Sequence, residues 1–194
     1  MAIISQNDLL KEELTASLAE RMPFIEKSVL DAVFKIIDSF DTVNGEFSAV
    51  TLTLDNLLQL ASTINQTLAS TGYADAVNVF MSDFGKVTIN TSGLLSQVGG
   101  FDVRLLPLSE IEKKWKYKTA NSLLKSGIVE EFETPILQIV DEAISYGGSI
   151  DRAKQTLSDL IIGNKEKAGR LQSYSAQIAR DSIRGMQGQQ FHSI

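Results

Sequence analysis

Few residues in this sequence could carry out chemistry. No cysteine occurs among the 194 residues, and the single histidine is His192. The lack of cysteine excludes disulfides, thiol catalysis and Cys-ligated metal centres, and one histidine leaves little for Ser–His catalysis or metal binding. Carboxylate pairs can perform acid–base catalysis when burial shifts them apart, but nothing flanking Glu12–Glu13 or the cluster Glu130, Glu131 and Glu133 indicates burial. Both clusters are therefore interpreted as solvated helix faces.

The sequence also lacks the short motifs that mark common catalytic and cofactor sites. It contains no G-x-x-x-x-G-K-[ST] loop, no G-x-G-x-x-G at a strand end, no H-E-x-x-H and no G-x-S-x-G. These motifs cradle phosphates, bind dinucleotides, hold zinc or present a nucleophilic serine. We therefore expect a protein that is not an enzyme, needs no cofactor or metal, and binds other macromolecules.

A basic and aromatic segment at residues 110–118 is one candidate binding site. Its lysines alternate with two aromatic residues: Lys113, Lys114, Trp115, Lys116, Tyr117 and Lys118. Such a segment can contact a nucleic-acid backbone and stack on bases. In the alternative interpretation, Lys114 and Lys116 pair with Glu110 and Glu112 one helical turn earlier, and Trp115 anchors the core.

The last predicted helix offers a second candidate site, a polar face that could dock on a protein partner. Four residues share this face at i, i+3, i+7 and i+10: Gln177, Arg180, Arg184 and Gln187. Asp181 lies one turn before Arg184 and can pair with it. Gly185 and Gly188 weaken a helix but allow another backbone to approach closely. The alternative is an ordinary solvated helix face.

The elements that must position these residues are helices. Apolar residues recur with helical period between breaks at Pro23, Asn44–Gly45, Gly72, Gly99–Gly100 and Gly147–Gly148. The predicted helices cover residues 7–22, 24–40, 54–70, 74–84, a segment near 89–98, 107–127, 128–146, 150–162 and 170–190. Residues 47–53 have strand character and are left open.

The helix ends carry recognisable signals. Ser109 and Glu112 have capping-box spacing, Ser149 is a predicted cap, and Pro135 should kink its helix or mark its start. Since no strand–helix alternation is seen, we predict an all-α fold: an irregular multi-helix bundle with a projecting C-terminal helix, which could be elongated. The predicted domains are a helical body over 1–165, with a sub-boundary near 99–108, and a C-terminal helix or tail over 166–194.

Charge is spread unevenly along the chain, whose net charge is −6. Residues 1–100 hold 5 basic and 12 acidic side chains, whereas residues 163–194 hold 5 basic and 2 acidic. An acidic body argues against general DNA coating, but a mildly basic tail leaves room for one acidic partner. No apolar run approaches the roughly 18 to 20 residues that a membrane span needs, so no membrane partner is expected.

One stretch of the last helix resembles a known family. Residues 169–181, Gly-Arg-Leu-x-x-Tyr-x-x-Gln-Ile-Ala-Arg-Asp, followed by Gly188–Gln189, are similar to a segment of the tailed-phage minor head proteins, the Mu F-like head morphogenesis family. Gly147–Asp151 with Leu157 and Ile161 resembles the short helix before that segment, and residues 54–90 are loosely similar to the helical N-terminal part. The specific part of the resemblance is confined to 169–189.

The resemblance implies a virion component present at low copy. Such proteins associate with the portal or other head proteins at one capsid vertex and act in head assembly or DNA delivery, so the expected location is the virion, and the host cytoplasm during assembly. The partner-binding residues would be Gln177, Arg180, Asp181, Arg184 and Gln187. In the family further structure follows this segment, whereas this sequence stops at Ile194. We therefore expect either the N-terminal part of a longer protein or a short relative.

Overall fold

Helices make up most of the part of the chain that is described. The computed structural model describes residues 2–48, 54–99 and 107–192, and for 2–7 and 98–99 it describes the backbone alone. The helices are α1 (Ala2–Ala19), α2 (Met22–Ile37), α3 (Leu54–Ser70), α4 (Tyr73–Ser82), α5 (Phe84–Gly99), α6 (Leu108–Leu124), α7 (Ser126–Ile128), a π-helical segment (Val129–Glu133), α8 (Thr134–Ser145), α9 (Ile150–Ile161) and α10 (Arg170–His192). The predicted all-α, multi-helix fold is confirmed, and its C-terminal helix is long.

The break between the first two helices lies earlier than Pro23. α1 ends at Ala19, and Pro23 stands in the first turn of α2. Proline fits this position because the first backbone N–H groups of a helix have no intrahelical acceptor in any case. α2 ends at Ile37, so Phe40 lies outside the helix that was predicted to include it, although its side chain is buried.

A short β-hairpin with a two-residue turn follows α2. Strands β1 (Thr42–Val43) and β2 (Glu46–Phe47) pair antiparallel around Asn44–Gly45, and both turn residues have positive φ, 53° and 82°. An Asn-Gly pair adopts this conformation readily, which makes it a common hairpin turn. Of the open residues 47–53, Phe47 therefore belongs to a strand, while 49–53 lie outside the described residues.

The segment before Pro135 shows how the chain accommodates a proline near a helix. A π-helical stretch, Val129–Glu133, leads into α8, and Pro135 occupies the first turn of α8. Proline has no N–H to donate to the carbonyl of Glu131 four residues earlier. That carbonyl accepts a hydrogen bond from Arg170 Nε at 3.0 Å, and Arg170 Nη2 also pairs with the Glu131 carboxylate. The predicted irregularity at Pro135 is therefore present as a change of helix type.

The chain packs as two units, each assembled from separate sequence segments. One unit comprises Arg21–Ala74 and Gly127–Tyr174. In it α2 and α8 each pack against both α3 and α9, so the four helices form a closed ring. Fully buried aliphatic side chains fill the ring: Val29, Val33, Leu60, Ile64, Ile136, Val140, Leu157 and Ile161. Ser149 caps α9 by accepting a hydrogen bond from the backbone N–H of Arg152, as predicted.

The other unit comprises Met1–Glu20, Asp75–Ser126 and Ser175–Ile194. α5 packs against both α1 and α6, and the Ser182 and Thr119 hydroxyls join α10 to α6 at 2.7 Å. The buried residues of this unit include Leu18, Phe84, Leu123, Ile183 and Met186. These two units are groups of segments that pack together and are not continuous in sequence. The predicted division between residues 165 and 166 concerns continuous domains, and it stays a prediction.

The expectation that the C-terminal helix projects is wrong. The side chains of Leu171, Ser175, Ala179, Ile183 and Met186 on α10 are fully buried. The sequence pattern misled because several residues on the buried face are serine, alanine and glutamine, which score as polar or weakly apolar. Small side chains can still form a well-packed face, since they let helix backbones approach closely.

Candidate functional site

The candidate docking face lies on the exposed side of α10. The side chains of Gln177, Arg180, Asp181 and Arg184 are exposed, as the predicted site requires. Gln187 is only 7% exposed, and its side-chain nitrogen is buried without a hydrogen-bond partner. Its assignment to a partner-binding face is therefore corrected: the helix turns Gln187 toward the interior, one position after the fully buried Met186.

The two arginines of this face have no acidic partner among the described residues. Arg180 Nε donates to the carbonyl oxygen of Ala176 at 3.1 Å, which holds the side chain along its own helix. The predicted pair between Asp181 and Arg184 does not form within the described part of the chain. Two cationic groups one helical turn apart are thus left available to solvent or to a binding partner.

Arg180 and Arg184 line a groove whose other wall is α1. The groove has a volume of about 510 Å³. Its lining residues from α1 are Asp8, Lys11, Glu12, Thr15, Ala16 and Ala19. Sequence reasoning missed this wall, because helical periodicity shows which face of a helix is polar but not which distant helix lies beside it.

The α1 wall of the groove carries charges of both signs and one unsatisfied hydroxyl. Lys11 Nζ pairs with Asp8 Oδ1 at 2.5 Å, and Glu12 is exposed. Thr15 is 9% exposed, and its Oγ1 is buried without a hydrogen-bond partner in the structure. Burying a hydroxyl without a partner is unfavourable, so Thr15 is a local cost to folding at this position.

The lysine segment on α6 is largely engaged by neighbouring side chains. Lys113 pairs with Glu110 at 2.9 Å and Lys116 with Glu112 at 2.7 Å. The predicted Glu112–Lys116 pair thus forms, whereas Glu110 pairs with Lys113 and leaves Lys114 exposed. The hydrogen bond from Lys113 to Glu110 raises the pKa of that lysine above its ordinary value.

One further prediction concerns the start of α6. Its N-cap is Pro107 and no side chain caps the helix, so the Ser109–Glu112 capping box is wrong: Ser109 lies inside the first turn, two residues after the cap position. Lys118 Nζ lies 4.5 Å above the Trp115 ring.

Trp115 anchors α6 to α10 but remains partly exposed. Its Nε1 donates to Gln189 Oε1 at 3.2 Å, and a Cβ built on Gly185 would overlap its ring. Tyr117, on the other side of α6, is 69% exposed. The interpretation of Trp115 as an anchor therefore holds at the contact with α10, and Tyr117 remains the exposed aromatic side chain of the lysine segment.

A buried carboxylate on α2, which the sequence did not reveal, holds the start of α10. Glu26 is 1% exposed, and its Oε1 accepts the backbone N–H of Gln172 at 2.8 Å. The backbone N–H of Leu171 also hydrogen-bonds to this carboxylate. Burial raises the pKa of Glu26 to about 7, although these two hydrogen bonds lower it. Glu26 thus supplies acceptors that the first turn of α10 needs, as an N-cap side chain would.

The described residues offer neither a metal site nor a membrane-spanning helix. No group of three or more His, Asp or Glu side chains in that part of the chain is arranged to hold a metal ion. No helix within it is both long and apolar enough to span a bilayer.

Comparisons with known proteins give no relative to this chain. No protein-family model matches it, and no curated protein or solved structure matches it. The resemblance of residues 169–189 to phage minor head proteins therefore stays a prediction, and the geometry of the α1–α10 groove is the main guide to function.

Proposed function

We propose that this chain is a non-catalytic docking protein that binds a protein partner through the exposed face of α10. The observation that carries the proposal is the pair Arg180 and Arg184: both are exposed, neither forms an ion pair among the described residues, and both line one groove. The opposite face of α10 is buried, so the helix is held in place and presents these side chains from a fixed support. A helix whose backbone is already ordered loses less conformational entropy on binding than a mobile segment.

The setting we propose is the phage head, where the chain would be a low-copy minor component associated with the portal or other head proteins. The similarity of residues 169–189 to minor head proteins supports this setting, since those residues form most of α10.

The test is quantitative mass spectrometry of purified particles from the source. A chain that is present at low copy relative to the coat protein supports the proposal. Replacing Arg180 and Arg184 by Glu should lower incorporation at least about tenfold, the effect of losing roughly 1.4 kcal/mol of binding free energy. The matched control is Lys165→Glu with Lys167→Glu, the same charge change at exposed residues outside this face. Circular dichroism should show both variants folded.

Normal incorporation of the arginine variant would count against the docking face. Complete absence of the chain from particles would remove the virion setting and favour the alternative, a helical nucleic-acid-binding module that uses Lys113, Lys114, Lys116 and Lys118 with the basic tail. That alternative requires an affinity for nucleic acid that falls steeply as the salt concentration rises. The exposed Lys114, Lys118 and Tyr117 favour it, whereas the Glu pairing of Lys113 and Lys116 weakens it.

A further inference from the structure

We propose that the α1–α10 groove binds an acidic helix of a partner protein, with two carboxylates one turn apart on Arg180 and Arg184. This inference rests on the proposed docking function and names the chemistry of the partner. It follows from three properties of the groove: the spacing of two arginines that form no ion pair among the described residues, the mixed charge of the α1 wall, and the small residues on that wall.

The spacing of the cations favours carboxylates carried on a helix. Arg180 and Arg184 are four residues apart on α10, which corresponds to a rise of about 6 Å along the helix axis. Carboxylates at i and i+4 on a partner helix have the same separation. Arginine binds carboxylates through paired, charge-assisted hydrogen bonds, which are among the stronger polar contacts in proteins.

The opposite wall argues against nucleic acid as the occupant. Asp8 and Glu12 line the same groove as the arginines. A nucleic-acid strand carries negative charge along its whole length and would meet these carboxylates, which repel it. A helix can present carboxylates on one edge only and a cationic or neutral edge toward Glu12, so it complements both walls.

The α1 wall of the groove suits a helix that approaches closely. Ala16 and Ala19 on this wall have small side chains, and Ala16 is exposed. Small side chains at a crossing allow two helices to pack at short distance.

The experiment is a titration of the isotopically labelled full chain, followed by NMR at physiological salt. The probe is an alanine-based peptide of about 20 residues, long enough to be helical, with Glu pairs at i and i+4 along one face. The control peptide has Gln at every Glu position. We expect saturable binding of the Glu peptide, with shift changes at Thr15, Ala16, Arg180 and Arg184. The dissociation constant should rise at least tenfold in Arg180→Gln with Arg184→Gln, and stay unchanged in Lys165→Gln with Lys167→Gln.

Several results would overturn the inference. These are equal binding of the Glu and Gln peptides, shift changes confined to other surfaces, or no saturation at millimolar peptide. Preferential binding of a single-stranded oligonucleotide through the same arginines would replace the acidic helix by nucleic acid. Self-association abolished by the arginine substitutions, measured by sedimentation, would make a second copy of the chain the occupant.

The proposed function and this inference can fail separately. Particle incorporation that depends on Arg180 and Arg184, without peptide binding, would keep the docking function and reject the acidic helix. Binding of the Glu peptide by a chain that is absent from particles would keep the groove chemistry and reject the virion setting.

Discussion

At the scale of single residues, Glu26 and Gly169 depend on one another. The Glu26 carboxylate reaches the backbone N–H groups of Leu171 and Gln172 because Gly169 has no side chain. A Cβ at Gly169 would overlap both the Glu26 carboxylate and the carbonyl of Ile161. Gly169 therefore has a packing role at the start of α10, independent of any role in partner binding.

Stability should depend on pH through Glu26. Its pKa is about 7 in the folded protein against an ordinary value of 4.5, so the folded state binds the proton more tightly. The stabilisation is complete below pH 4.5 and is lost as the pH rises through 7, and it amounts to at most about 3 kcal/mol. Urea denaturation between pH 4.5 and 8 should show this fall in wild type and lose it in Glu26→Gln.

The control for this prediction is Glu166→Gln, which changes an exposed carboxylate on the turn before α10. Its pH profile should follow that of wild type. If Glu26→Gln and wild type show parallel profiles, Glu26 is not the group responsible.

At the scale of elements, α10 is held by contacts that the hydropathy pattern of its own sequence does not indicate. Trp115 packs against Gly185, Thr119 bonds to Ser182, and the Trp115 indole donates to Gln189. None of these α10 residues is strongly apolar, so a hydropathy pattern assigns them to solvent. The contacts arise because a large aromatic residue on α6 meets a glycine on α10.

Two glycines of α10 should respond in opposite ways to alanine. In Gly185→Ala the new Cβ would overlap the Trp115 ring, and overpacking of this kind costs about 1–3 kcal/mol. In Gly188→Ala no atom lies within 4 Å of the new Cβ, and alanine favours a helix by up to about 1 kcal/mol. Thermal unfolding should therefore show a lower midpoint for Gly185→Ala and an equal or higher one for Gly188→Ala. Equal destabilisation of both variants would mean that the Trp115 contact is not responsible.

At the scale of the whole molecule, each packing unit combines segments that are far apart in sequence. One unit includes residues near both ends of the chain, Met1–Glu20 and Ser175–Ile194. α10 contributes fully buried residues to the cores, among them Leu171, Ile183 and Met186. A boundary between 165 and 166 would separate these residues from the rest of the structure.

A chain of residues 1–165 should therefore fail to fold cooperatively. Loss of α10 exposes the surface under Ile183 and Met186 and leaves the buried Glu26 carboxylate without its N–H partners, which is costly. We expect a broad, non-cooperative thermal transition and binding of a hydrophobic dye. A chain of residues 1–191, which lacks only exposed or undescribed residues, should melt like the full chain. A sharp transition in residues 1–165 would support the predicted contiguous domain boundary instead.

Much of the secondary structure follows from local rules. Apolar spacing located most of the helices, Ser149 was recognisable as a cap, and Pro135 marked a real irregularity. The hairpin at Asn44–Gly45 was also readable, because that dipeptide favours a two-residue turn, but it was interpreted as a simple break. The Ser109 capping box failed because spacing alone does not fix where the first turn begins.

The sequence by itself determined the helical class and the polar face of α10 with Gln177, Arg180, Asp181 and Arg184, because both depend on spacing within one segment. Only the tertiary structure decided that Gln187 is buried, that α1 forms the second wall of the groove, and that Glu26 caps a helix almost 150 residues later. The physical reason is that these outcomes depend on which segments, far apart in the sequence, pack against each other and exclude water from their contact. A local pattern indicates which face of a segment can be buried. Which other segment packs against that face is set by the packing of the whole chain.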